Sequence, residues 1–244
     1  MSEKKFEKQQ ALLLSSSGYK DTGYLTHALK RIEDFLVSTG VKDKEILFIP
    51  YAGVRRVDEA YEKRVQDALS SLNIKITSIH RVKDHKKAVL EASSILVGGG
   101  NTFKLVHDMY KYDIIEAVKE KVANGMPYIG WSAGANIAGK TMMTTNDMPI
   151  IFPKSFETLG FFPYQINPHF ISGKISGHNG ESREERLEEY LLLNKEEIIC
   201  ALPEGSAILI DGVKAKILGE NDILVFKYNK EVELVKPNVF FKYD

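Results

Sequence analysis

The sequence predicts an α/β fold built on a mostly parallel sheet, with a set of antiparallel strands towards its C-terminal end. Three observations carry this. Apolar runs of strand length alternate with segments whose apolar residues recur every three or four positions. Several of those runs end directly in glycine- or serine-bearing turns. After residue 206, short strands follow one another across tight turns with no helical pattern between them. Alternation of strand and helix implies right-handed crossovers, which gather the loops at the carboxyl ends of the strands into one crevice. Function is sought just after each strand.

Residues 1–10 are polar and charged and read as a flexible extension without the apolar stretch of a secretory signal. Residues 11–14 form a strand apolar on both faces, and Leu25, Leu29, Ile32 and Leu36 then share one helical face. The pair repeats: residues 46–49 precede Pro50 as a strand, Tyr61, Val65, Ala68 and Leu72 mark a helix, and residues 74–79 alternate as a third strand. Residues 94–97 are the next strand. They run straight into Gly98-Gly99-Gly100-Asn101-Thr102, which opens one long helical pattern through Leu105, Met109 and Ile114 to Val122. Residues 127–129 lead into Gly130-Trp131-Ser132-Ala133-Gly134 and a helix start of small residues. Residues 144–149 are polar and turn-forming, and residues 164–170 read as a strand ending at Asn167-Pro168-His169-Phe170. Ser182 and Glu185 have the spacing of a capping box before a helix carrying Leu187, Tyr190 and Leu191. Residues 197–202 form a strand that ends in Pro203-Glu204-Gly205. Residues 207–210, 215–218, 223–226 and 232–235 then read as an antiparallel appendage without evident chemistry.

At 244 residues, 43% hydrophobic and 27% charged, the chain is long enough to bury one large core, and residues 1–244 are read as a single domain. Lys+Arg 33 against Asp+Glu 33 leaves no net charge, so neither nucleic acid nor an anionic membrane is expected as a partner. A small molecule is expected instead, bound by a monomer or small homo-oligomer. Cys200 is the single cysteine and lies in an apolar run, which excludes an intrachain disulfide and points to a reducing cytoplasm.

Gly130-Trp131-Ser132-Ala133-Gly134 fits G-x-S-x-G at a strand-to-helix turn, where a strained serine is exposed above the sheet. The triple glycine offers backbone amides to an oxyanion, with Gly99 and Gly100 equally placed to do so. It lacks both G-x-G-x-x-G and G-x-x-x-x-G-K-[ST], the nucleotide-phosphate patterns. Among six histidines, His169 stands at a strand end, with His178 in the glycine-bearing loop as reserve. Glu204 ends its own strand and is placed to orient a histidine, while Asp147 offers the alternative order of serine, aspartate and histidine. Arg183 gains nothing from the positive end of its helix, which suits a cation held for an anionic ligand. No H-E-x-x-H or comparable spacing supports a metal, and no cofactor is expected.

Five ordered blocks resemble the peptidase E, or aspartyl dipeptidase, family: Ile49-Pro50-Tyr51-Ala52-Gly53, Gly98 to Phe103, Gly130 to Asn136, Thr145-Asn146-Asp147-Met148-Pro149, and Asn167 to Phe170. The resemblance implies a three-layer αβα fold of the class I glutamine amidotransferase type. It also implies Ser132 as nucleophile, His169 as base, Glu204 as third triad member, and removal of an N-terminal Asp from dipeptides without a metal. The oxyanion would be held by the amides of Ala133 and of Gly99 or Gly100. Arg183 would meet the substrate's aspartyl carboxylate with Asn101 in support, leaving Asp147 for the α-ammonium. Two other readings remain: a β-aspartyl hydrolase of the cyanophycinase type on the same scaffold, and a catalytically silent small-molecule binder using the glycine loop.

Overall fold

The computed structural model describes residues 7–55, 57–174, 177 and 179–243. Its strands are β1 (Gln10–Leu14), β2 (Ile46–Ile49), β3 (Ile76–Ser78), β4 (Ile95–Val97), β5 (Tyr128–Trp131), β6 (Gln165–Phe170), β7 (Ile198–Pro203), β8 (Ala207–Asp211), β9 (Lys214–Leu218), β10 (Ile223–Lys227), β11 (Glu233–Val235) and β12 (Phe240–Lys242). The α-helices are α1 (Leu29–Ser38), α2 (Asp58–Ala68), α3 (His85–Glu91), α4 (Thr102–Lys111), α5 (Ile115–Ala123), α6 (Ala133–Asn136) and α7 (Arg183–Leu193). Among the described residues the central sheet has the order β12-β9-β8-β1-β5-β4-β2-β3. Its β1-β5-β4-β2-β3 stretch is parallel throughout, and β8, β9 and β12 extend it by antiparallel pairing.

The three layers follow from the pleat of β1. Ala11 and Leu13 point into one core with Val106, Met109 and Val118 of α4 and α5, while Leu12 and Leu14 point into the other with Ile32 and Leu36 of α1 and Val65 of α2. The side chains of residues 11–14 are all fully buried, which is why this part of the strand carries no polar alternation. Strand β5 is sealed from both sides in the same way, and its carboxyl end therefore opens between two packed helical layers.

Four expectations are corrected. The helical pattern from Thr102 to Val122 is two helices: Asp113 takes a left-handed conformation (φ 52°), the Ile114 amide donates to Met109 O, and the Asp113 amide donates to Tyr110 O. This is a Schellman closure with aspartate in the position glycine usually fills, and the apolar face runs on across it because Ile114, Ile115 and Val118 enter the same core. Strands β6 and β7 lie in a second sheet of order β11-β10-β7-β6, outside the central one. The C-terminal strands are accordingly no single appendage: β8, β9 and β12 complete the first sheet, and β10 and β11 build the second. Gln10 already belongs to β1 and Gln9 is buried, so ordered structure starts inside the polar lead. Strand β12 and helix α3 had no sequence counterpart.

Helix α7 covers the second sheet, packing Leu187 and Leu191 against Phe170, Ile199, Ala201 and Phe226. No helix among the described residues is long and apolar enough to cross a membrane. Cys200 is fully buried in β7, and burial pushes its thiol up to about 12. A disulfide reagent added to the folded protein is therefore expected to release no product from Cys200, and one equivalent once guanidinium unfolds the chain.

Candidate active site

The turn from β5 to α6 puts Ser132 at φ 55° and ψ −114°, a conformation that costs a non-glycine residue about 1–3 kcal/mol. Close backbone packing holds it there. A methyl group on Gly130 would stand 2.3 Å from Gly134 O, and one on Gly134 would stand 2.3 Å from Val97 O, so the bend closes only with glycine at both places. The Ser132 amide donates to Leu14 O at 3.1 Å, tying the turn to the end of β1.

Ser132 Oγ lies 2.9 Å from His169 Nε2, and His169 Nδ1 lies 2.7 Å from Glu204 Oε1. Hydroxyl, imidazole and carboxylate thus form a continuous relay. His169 sits at a bulge where the β6–β7 register shifts, and its own φ is 54°. Sequence reading missed the residue that fixes it. Buried Ser15, just beyond β1, donates from Oγ to Leu202 O at 2.8 Å and accepts the His169 amide at 3.0 Å.

Asp147 takes no part in the relay. Its Oδ2 accepts from the Thr102 amide at 2.7 Å, Thr102 Oγ1 at 2.6 Å and Thr145 Oγ1 at 3.1 Å, which anchors the 144–149 loop to the start of α4. Its Oδ1 carries no hydrogen bond from the described residues. Asn101 caps α4, accepting the Lys104 amide at 3.0 Å, and donates to Met148 O at 2.8 Å, so both ends of its side chain are engaged within the protein. Arg183 donates to Asn146 Oδ1, which also accepts from Asn167 Nδ2 at 2.8 Å, and Asn146 Nδ2 donates to Pro168 O at 2.7 Å. Burial lowers the Arg183 pKa, Arg186 lowers it further, and Asp147 opposes both. His178 lies outside the described residues.

Ser132, His169, Asp147, Gly99 and Gly100 line one cleft of about 340 Å³, together with Tyr61 and Arg64 of α2. The amides of Gly98 and Asn101 are spent on Ile49 O and Ala52 O, whereas those of Gly99 and Gly100 make no hydrogen bond among the described residues. Tyr61 donates its hydroxyl to Gly99 O at 2.7 Å. A trans peptide points its N–H opposite to its C=O, so this bond turns the Gly100 N–H away from Tyr61. Gly100 itself has φ 143°, and a methyl group there would meet Ala52 O at 2.2 Å. Helical spacing had marked Tyr61 as a core residue; only its hydroxyl reveals the second role.

The sequence model of peptidase family S51 matches residues 11–218. A peptidase E from Haemophilus influenzae (strain PittGG) is 54% identical over 232 residues, covering 95% of this chain and 98% of the relative, and one from Actinobacillus pleuropneumoniae serotype 7 (strain AP76) is 52% identical over the same shares. A peptidase from an acI-B1 Actinobacterium has a similar fold in its crystal structure, with a TM-score of 0.70 at 17% identity over 98% of both chains.

A fluorophosphonate probe reads the relay without a substrate. Labelling is expected at Ser132, to be lost in Ser132→Ala, and to slow by about tenfold in Ser15→Ala if the lost bond loosens the His169 backbone. Equal labelling rates in wild type and Ser15→Ala would remove Ser15 from the positioning of His169.

Proposed function

The chain belongs to peptidase family S51, and from that premise we propose that it is a serine exopeptidase that hydrolyses dipeptides with an N-terminal aspartate. The observation that carries the reading is the Ser132–His169–Glu204 relay at 2.9 and 2.7 Å. His169 Nε2 takes the Ser132 proton as Oγ attacks the peptide carbonyl, and Glu204 holds the imidazole by Nδ1 and stabilises the imidazolium that forms. The imidazolium then protonates the leaving amine. Water, deprotonated by His169, attacks the aspartyl ester, and the imidazolium so formed gives its proton to Ser132 Oγ as the ester bond breaks and the acid leaves.

The oxyanion falls to two amides. Ala133 N–H follows the nucleophile, and Gly100 N–H is the second donor because Tyr61 holds the preceding carbonyl the other way. Each donor of this type supplies about 3 kcal/mol of transition-state stabilisation.

Recognition of aspartate rests on charge. Arg183, fixed by Asn146 and near enough to Asp147 to feel its charge, takes the side-chain carboxylate, and Asp147, which lines the cleft, takes the α-ammonium through Oδ1. Asn101, capping α4 and tied to Met148 O, supports that end of the cleft by shaping the loop. A cytoplasmic location goes with this reading and is supported by the unpaired Cys200.

Incubation with α-Asp-Leu, β-Asp-Leu, β-Asp-Arg and Asn-Leu tests it. Cleavage of α-Asp-Leu alone is expected; cleavage of the β-linked peptides alone would favour a cyanophycinase-type hydrolase, and no cleavage would favour a silent binder. Glu204→Gln is expected to lower kcat by a factor on the order of 10²–10⁴ with KM little changed. Arg183→Met should lower kcat/KM for Asp-Leu by about 10- to 100-fold and abolish its preference over Asn-Leu.

A further inference from the structure

One guanidinium in the cleft is left without a role by the scheme above. Arg64 of α2 lines the cleft with Ser132 and the glycine loop, and its Cζ stands 4.0 Å from the centre of the Tyr24 ring. Tyr24 is itself fixed, accepting from Trp131 Nε1 at 3.0 Å and donating to Tyr61 Oη at 3.2 Å. This cation–π contact holds the guanidinium in place and leaves its N–H donors for a planar anion. Arg64 makes no ion pair and no hydrogen bond with the described residues. Two acids of its own helix are committed elsewhere, Glu62 to Arg81 at 2.6 Å and Asp67 to Lys63 at 2.8 Å. Ser17 lines the same cleft, and its hydroxyl is likewise without a hydrogen bond among the described residues.

An Asp-Xaa dipeptide carries one ammonium and two carboxylates. Asp147 and Arg183 answer the ammonium and one carboxylate, which leaves the free C-terminal carboxylate of the leaving residue. Resting on the aspartyl dipeptidase reading, we propose that Arg64, held over the Tyr24 ring and joined by the Ser17 hydroxyl, binds this C-terminal carboxylate. The site accordingly measures substrate length: a peptide extended beyond its second residue, or capped there as an amide, presents no anion to Arg64 and forfeits that contact.

The test compares Asp-Leu with Asp-Leu-amide by kcat/KM in wild type, Arg64→Gln and Arg64→Lys, with fluorophosphonate labelling of Ser132 reporting an intact relay. Wild type is expected to favour the free acid by about 10- to 100-fold, the worth of a charge-assisted pair. Arg64→Gln should remove that preference by slowing the acid alone, and Arg64→Lys, which keeps the charge and loses the fork, should fall between the two. Equal rates for acid and amide in wild type overturn the proposal while leaving the dipeptidase reading standing. An undiminished preference in Arg64→Gln, or a loss of the Asp-Leu over Asn-Leu preference there, overturns it as well. A wild type that cleaves neither compound overturns both readings.

Discussion

The structure depends on one buried hydroxyl that joins two sheets. Ser132 rides on the central sheet, whereas His169 and Glu204 come from the second, and the 2.9 Å between hydroxyl and imidazole has to be set across that boundary. Ser15 sits on the seam. By donating to β7 and accepting from β6, it fixes the His169 backbone relative to the end of β1, the strand whose Leu14 carbonyl also receives the Ser132 amide. Both halves of the relay are therefore referenced to the same strand end. A fully buried serine with both functions satisfied is well suited to this, because neither bond can be exchanged for water without leaving a polar group unpaired.

Around that seam the site is built from backbone under strain. Ser132 and His169 both have positive φ, and each is held against its preference by partners on several sides. Glycine acts here chiefly through what it lacks: at 130 and 134 any side chain would strike a carbonyl, and at 100 it would strike Ala52. The Tyr61 hydroxyl adds a further constraint by settling which way one peptide of the glycine loop faces.

Local features were legible in the sequence, and tertiary ones were not. The elbow could be read because glycine, serine and glycine act within five residues, and Ser182 with Glu185 forms the full capping box their spacing predicts. His169 and Glu204 could be picked as strand-end residues, although periodicity could not tell that their strands leave the central sheet. Glu204 could be preferred to Asp147 for its strand-end place and its match to the family pattern, although only the structure says which carboxylate reaches Nδ1. Asp147 is instead occupied by Thr102 and Thr145. Ser15, Tyr61 and Arg64 gave no usable signal, because their roles lie in contacts with distant segments. The break at Asp113 escaped for a different reason: aspartate tolerates the left-handed conformation without advertising it as glycine would.

The Ser15 seam also bears on how the chain acquires competence. Its two bonds close sequence separations of 154 and 187 residues, among the costliest kinds of contact to form early. Either sheet assembled alone carries half of a relay and no reactive centre. Chemical competence is consequently a property of the docked pair, and a nascent chain has no complete relay until β7 and Glu204 have emerged and docked.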